Sequence, residues 1–287
     1  MTGEKGGGME ERKQKEIEHS DRRRSIVKAY EYSTDAGGKP DGRYVLGEEE
    51  YDRHFSNMKF YSVTRSSMAW RDSLLFEKVA GAVALDYCCG NGEVAVEMAR
   101  RGAKRVIGID ISDVAVRNAT ELAKAEGVGE ICEFRVMDAE RTDFPDDTFD
   151  VIHEYGALHH LDLEAAFREL SRILKPDGKL VCTEALRHNP LIRLYRKRTP
   201  HLRTEWEAEH ILGFPEIRSG AAWFGGVAIR TFHLAALAAV PFRNTSLFRP
   251  LLSVLETIDD LLLSIPYIRR FAWVAVVRYD KPGMNSR

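Results

Sequence analysis

Residues 82–101, reading AVALDYCCGNGEVAVEMARR, constrain this chain more than any other stretch. Val83, Ala84 and Leu85 form a short apolar run after Gly81, which suits a buried parallel strand. The run ends in Asp86, and after Tyr87 comes the compact sequence Cys88-Cys89-Gly90-Asn91-Gly92. Beyond it Val94, Ala95, Met98 and Ala99 recur at helical spacing. A strand, a tight glycine turn and a helix start gather backbone N–H groups and a carboxylate around one point, the local plan of a nucleotide site. Gly90-x-Gly92-x-x-Ala95 satisfies the loose dinucleotide fingerprint, with Asp110 at a suitable distance for a ribose. Any tight strand-to-helix turn selects glycine, however, so the fingerprint alone decides little. Asp86 bears on the choice: a carboxylate facing the turn repels a pyrophosphate and suits the cationic amino group of a sulfonium amino acid.

Taken together, Asp86 to Gly92 resemble D-x-G-x-G-x-G, the first motif of the class I S-adenosylmethionine-dependent methyltransferases, with cysteine at the first glycine position. Two more segments carry the resemblance. Phe144-Pro-Asp-Asp-Thr-Phe-Asp150 is similar to the family's acidic turn into strand four, and Lys175-Pro176-Asp177-Gly178 to its turn into strand five. The likeness spans 74–184 and is nearest to the type 11 branch, with its quinone-biosynthesis and natural-product small-molecule enzymes. It implies an α/β fold: a Rossmann-like, seven-stranded, mostly parallel sheet with helices on both faces and an antiparallel last strand. An N-terminal helical extension and a helical insertion near the C-terminus complete that expectation.

The resemblance also implies S-adenosyl-L-methionine as cofactor and assigns residues to it. Asp86 faces the amino group, Cys88, Gly90 and Gly92 form the turn, and Asp110 bridges the ribose hydroxyls. Ile111 covers the adenine and Asp138 with the backbone of Ala139 takes its amino group. Glu154 stands where the family often has a small polar residue, and its carboxylate suits either a base or a counter-charge to the sulfonium. A bland helix cap at Ser112 or Asp113 explains those neighbours but not Asp110. Three strands each ending in Asp is the pattern of a site at the carboxyl edge of a parallel sheet.

The remaining chain divides by composition. Residues 1–47, rich in Gly, Glu and Lys at the start, read as a flexible tail, and 48–78 as a helical lid segment. In 48–78 the aromatic residues Phe55, Phe60, Tyr61 and Trp70 serve equally to cover a pocket or to dock a helix. Residues 79–184 form the cofactor-binding core, and 185–287 continue the same domain with additions around the acceptor. A basic run holds Arg187, Arg193, Arg196, Lys197, Arg198 and Arg203, either a solvated face or a clamp for phosphate or carboxylate. Strands are expected over 227–232 and 271–279. Between them Leu251, Leu252, Leu255, Ile258, Leu262 and Ile265 make a helical apolar stripe opposite Glu256, Asp259 and Asp260. Such a stripe is core, a homodimer seam, a pocket cap or a peripheral membrane contact.

The chain has 287 residues, a formal charge of −2 and four cysteines without a C-x-x-C pair. These features exclude a basic nucleic-acid binder and suggest reduced thiols in the cytoplasm, with no metal site. The N-terminus lacks a signal-peptide apolar core, and no apolar run reaches the ~18 residues of a spanning helix. Methyl transfer from a sulfonium is an in-line displacement in which alignment and desolvation supply most of the effect. An oxygen or carbon acceptor also loses a proton, and Glu154, His159 and His160, following strand four, are the candidate catalytic residues. The favoured reading is methylation of a small apolar or lipid-like acceptor. RNA or protein methylation and a nicotinamide-dependent oxidoreductase are the competing readings.

Overall fold

Neighbouring residues on the central strands send their side chains to opposite faces, and both faces are covered. Ala84, Val106 and Val151 pack with Ala95, Met98 and Ala99 on one side. Leu85, Ile107 and Ile152 pack with Phe167, Leu170 and Ile173 on the other. A sheet buried on both faces needs apolar residues at every position, which is why these strands read as continuous runs in the sequence.

The computed structural model describes residues 3–28 and 44–281. Helix α1 (Gly3–Ser25) leads into strand β1 (Ile26–Lys28), which pairs in parallel with β2 (Tyr44–Leu46). Helices α2 (Glu48–His54), α3 (Met58–Tyr61) and α4 (Arg65–Phe76) follow. The main sheet then begins with β3 (Val83–Tyr87), α5 (Glu93–Arg100), β4 (Arg105–Asp110), α6 (Asp113–Ala125) and β5 (Cys132–Val136). It continues with β6 (Phe149–Tyr155), α7 (Leu163–Ile173) and β7 (Leu174–Ala185). Three helices, α8 (Pro190–Arg198), α9 (Glu205–His210) and α10 (Phe214–Ser219), precede β8 (Gly226–Phe232). Helix α11 (Phe248–Leu263) separates β8 from the final strand β9 (Val274–Asp280).

The seven strands are ordered β5-β4-β3-β6-β7-β9-β8, parallel except for β9, which is antiparallel to both of its neighbours. The fold expected from the sequence is the one observed. The order reverses between β3 and β6, so their carboxyl ends open a crevice at the point where ligands settle in such sheets. Ser112 and Asp162 cap α6 and α7, their side chains accepting from Ala115 N at 3.0 Å and Ala165 N at 2.9 Å.

Helix α1 occupies the first part of the tail, and its second half lies against the crevice through charged side chains. A polar, charge-rich composition signals disorder only when no oppositely charged partners await it in the fold. Residues 29–43 of that tail lie outside the described residues. The apolar stripe of α11 also divides differently: Leu252 and Leu263 are buried, whereas Ile258 and Ile265 are exposed. Asp259, expected on the outer face, is 5% exposed. It turns inward because its carboxylate accepts from the N–H groups of Leu234, Ala235 and Ala236, at 2.5–3.2 Å, where no helical carbonyl can serve them.

Replacing Asp259 by Ala should therefore lower stability by about 2–4 kcal/mol, because each buried donor left unsatisfied costs about 1–3 kcal/mol. Urea denaturation checks this, and a loss under about 1 kcal/mol would mean that water replaces the carboxylate.

Candidate functional site

Asp86 ends its side chain behind the glycine turn. One oxygen accepts from Ala95 N at 3.0 Å, in the first turn of α5, and the other lies 2.8 Å from His153 Nδ1 on β6. Both side chains are buried, and Asp86 does not line the crevice. It ties strand, turn and helix together. The turn itself is left-handed at Cys88, Gly90 and Gly92, with φ of 58°, 58° and 82°. A side chain at Gly92 would stand 2.7 Å from Ala119 Cβ, so this glycine lets α5 and α6 pack closely. One at Gly90 would stand 2.8 Å from an Arg24 nitrogen, so here the bare backbone makes room for that guanidinium.

The crevice encloses a cavity of about 800 Å³. Cys88, Asp110, Ile111, Asp138 and Ala139 line one half, as the sequence motifs led one to expect. Asp110 is fixed by two N–H groups at 3.0 Å, from Gly90 and Ser112, and each oxygen retains a lone pair for a diol. Glu93, exposed in the first turn of α5, also lines the cavity and puts negative charge where a pyrophosphate would sit. The donor set thus fits an adenosine with a ribose diol better than a dinucleotide.

Helix α1 closes this half, and nothing in the sequence motifs announced it. Lys13 Nζ lies 2.5 Å from Asp138 and 3.1 Å from Glu140, and Arg12 pairs with Glu140. Asp21 accepts from Ser112 Oγ at 2.5 Å, and Asn118 donates to Arg24 O at 3.3 Å. The alternating charges of the helix are complementary to the crevice rim, a match visible only once the rim is assembled.

The second half is formed by Phe60, Tyr61, Tyr155, Ile192, Tyr195 and Trp273, with His159 and His160 in the wall. The lid expectation for 48–78 divides here, since Phe60 and Tyr61 line the cavity while Trp70 lies against Arg230, 4.5 Å away, near the sheet edge. Glu154 is completely buried beneath the wall and does not line it. One of its oxygens accepts from Ala157 N at 2.5 Å and Leu158 N at 3.3 Å, and the other has no hydrogen-bond partner. Burial, reinforced by the charge of Glu184, pushes the Glu154 carboxyl well up.

The acid at the cavity wall is Glu184, near the end of β7. Its oxygens meet Leu158 N at 2.7 Å and His159 Nδ1 at 2.7 Å. Burial pushes this carboxyl up to about 7, partly opposed by its hydrogen bonds. Burial and the neighbouring His160 hold His159 down to about 3, a neutral ring. Burial disfavours charge on His160 as well, yet its 2.9 Å bond to Glu16 of α1 wins and raises it. Glu184 was detectable as another acid near a strand end. It was passed over because the motif that draws attention to strand four has no counterpart on strand five.

The basic run separates. Arg187 pairs with Glu216, and Arg193, Lys197 and Arg198 are exposed, whereas Arg196 and Arg203 turn into the cavity. His159, His160 and Glu207 bring ligand atoms within 4.8 Å of one another. Arg203 holds Glu207 at 3.2 Å and further guanidiniums share the wall, a setting that opposes a cation. The four cysteines form no disulfide.

With this geometry in place, comparison with known proteins is direct. Residues 85–182 match a methyltransferase domain family. Residues 85–182 therefore carry a methyltransferase domain. It is 37% identical over 108 residues to 27-O-demethylrifamycin SV methyltransferase of Amycolatopsis mediterranei, covering 37% of this chain and 40% of that one. Over 148 residues it is 28% identical to demethylmenaquinone methyltransferase of Lactobacillus johnsonii, covering 49% and 60%. A sterol 24-C-methyltransferase of Yarrowia lipolytica is 31% identical over 129 residues, covering 44% and 34%. The match thus spans between 34% and 60% of the length of these curated relatives. In fold the chain is similar to geranyl diphosphate C-methyltransferase from Streptomyces coelicolor, with a TM-score of 0.54, 18% identity, and 74% and 78% of the two chains covered. Among the described residues no helix is long and apolar enough to cross a membrane.

Asp86→Ala should cost about 2–4 kcal/mol of stability, because it removes two buried charge-assisted bonds of about 1.5–3 kcal/mol each, partly offset by relaxation. Chemical denaturation measures the loss. A variant as stable as wild type that lost only cofactor affinity would return Asp86 to the cofactor.

Proposed function

We propose that this chain methylates a small, apolar or lipid-like organic acceptor, at oxygen or carbon, using S-adenosyl-L-methionine. The observation that carries the reading is that one cavity joins Asp110 and Asp138 at one end to the Glu184–His159 pair at the other. S-adenosylmethionine, when bound, supplies an electrophilic methyl group on a sulfonium. In this reading Asp110 holds the ribose diol, Ile111 covers the adenine, and Asp138 and Ala139 receive its amino group. Arg24, above the open face of Gly90, pairs with the cofactor's carboxylate. For that, Lys13 must yield Asp138, so α1 shifts or exchanges partners as the site fills.

The Glu184–His159 pair takes the proton the acceptor loses. His159 is neutral and Glu184 is poised near neutrality, so the pair has the affinity a general base needs at working pH. Glu154, buried behind the wall and bonded to the N–H groups of Ala157 and Leu158, supports the pair as a positioning residue rather than as the base. Thr183 Oγ1, a buried cavity-lining hydroxyl without a partner, is left to orient the acceptor. The aromatic wall excludes water around the transfer.

Calorimetry with S-adenosylhomocysteine and with NAD tests the reading, since only the former should bind. Asp110→Ala should weaken the former by about 1.5–3 kcal/mol. It should also lower stability, as Gly90 and Ser112 lose their acceptor. Binding of NAD without S-adenosylhomocysteine would end the proposal.

For the base, Glu184→Gln should slow single turnover about 10²–10⁴-fold and remove a rise in rate centred near pH 7. The same group leaves a mark on stability. Its folded-state value lies above the roughly 4.3 of an unfolded glutamate, so its stabilising contribution is complete below that and is lost as pH rises through about 7. Glu184→Gln should therefore gain on wild type in unfolding experiments as pH increases from about 5 to about 8. An unchanged rate would move the proton elsewhere in the cavity.

A further inference from the structure

We propose that the acceptor is an organic acid, its carboxylate or phosphate held between Arg23 and Arg196 and its hydrocarbon body against the aromatic wall. The inference rests on the reading of this cavity as a methyl-transfer site and names the class of acceptor.

Six cationic side chains line the cavity, and their partners separate them. Arg12 and Lys13 are neutralised by Asp138 and Glu140, Arg203 by Glu207, and Arg24 lies over the glycine turn. Arg23 and Arg196 remain. Among the described residues neither meets a carboxylate. Arg196 donates from Nη1 to Leu186 O at 3.1 Å. Arg23 reaches Asn57 Oδ1 at a weak 3.4 Å and lies 5.0 Å over the Phe55 ring. Neither arrangement uses the two-pronged face that guanidinium offers to an anion.

Unmet charge of this kind is costly in a low-dielectric wall. Burial, with Arg203 nearby, pushes Arg196 down to about 10 against the pull of Glu207, and burial also lowers Arg23, where Tyr61 and Glu207 oppose it but do not cancel it. A guanidinium does not release its proton in practice, so relief has to come from an anion. The Tyr61 phenol, within electrostatic reach of both, is neutral, since desolvation raises its pKa against their pull. The nearby acid Glu184 is largely protonated below neutrality and bound to His159. Apolar Ile192, Phe60 and Trp273 adjoin the two guanidiniums, which fits an amphiphile with an acidic head.

The test uses the full chain and three probes of equal chain length: decanoate, decyl phosphate and decanol. Binding is measured by calorimetry with and without S-adenosylhomocysteine. The two acids should bind at least about tenfold more tightly than the alcohol, and whichever acid is tighter identifies carboxylate or phosphate as the head group. Arg196→Gln and Arg23→Gln should each remove about tenfold or more of the acid's affinity and leave decanol and S-adenosylhomocysteine unchanged. Each variant should also melt higher than wild type without ligand, because a buried unpaired charge is gone; should one fail to fold, the other carries the test. Equal binding of decanol and the acids, or acid binding indifferent to both substitutions, overturns the proposal. Failure of S-adenosylhomocysteine to bind, with acids still bound through Arg23 and Arg196, removes the methyl-transfer reading and keeps the acid site.

Discussion

The buried carboxylate of Asp86 is the interaction on which the site depends. It stands where β3 ends, accepts from the first turn of α5 and grips His153 on β6. Those three elements surround the reversal of strand order, and the crevice exists only if they keep their relative positions. A backbone left-handed at three of the five turn positions following Tyr87 has little stability of its own. The carboxylate supplies a fixed point on the protein side of the turn, which frees Gly90 to present bare backbone on the other.

Charge is sorted across the cavity. On the cofactor side, acids of the strand ends meet cations of α1, so the helix closes the crevice with pairs a ligand can exchange for its own groups. Such partly exposed pairs contribute little stability each, which suits a cover that has to yield. On the acceptor side, a carboxyl and an imidazole are held close to one another with little water. Two glutamates, Glu154 and Glu184, lie beside that pair, and one dielectric environment gives them different duties. The deeper one, its carboxyl pushed well up by burial, fixes the loop 157–158, and the shallower one titrates near neutrality.

Much of the fold was legible because a doubly covered parallel sheet leaves continuous apolar runs ended by acids. The strands expected over 227–232 and 271–279 are β8 and β9, the second of them starting only at Val274. Asp110, Ile111, Asp138, Ala139, Cys88 and both histidines were placed in the cavity wall from motifs alone. Asp86 and Glu154 were recognised as special, but their orientation was not. A residue near a strand end can face the crevice or the protein interior, and sequence spacing does not distinguish the two when the chain turns sharply there.

What the sequence determined by itself was the strand-turn-helix unit, the strand-end acids and the chemistry they suit. These follow from local rules: period, glycine at left-handed positions and apolar runs of strand length. Only the tertiary structure decided that α1 covers the crevice, that Glu184 rather than Glu154 reaches it, and that Arg23 and Arg196, from helices far apart in the chain, line the same cavity. Their meaning is electrostatic. A charge acquires its role from which partners burial leaves it, and those partners are chosen by the fold as a whole.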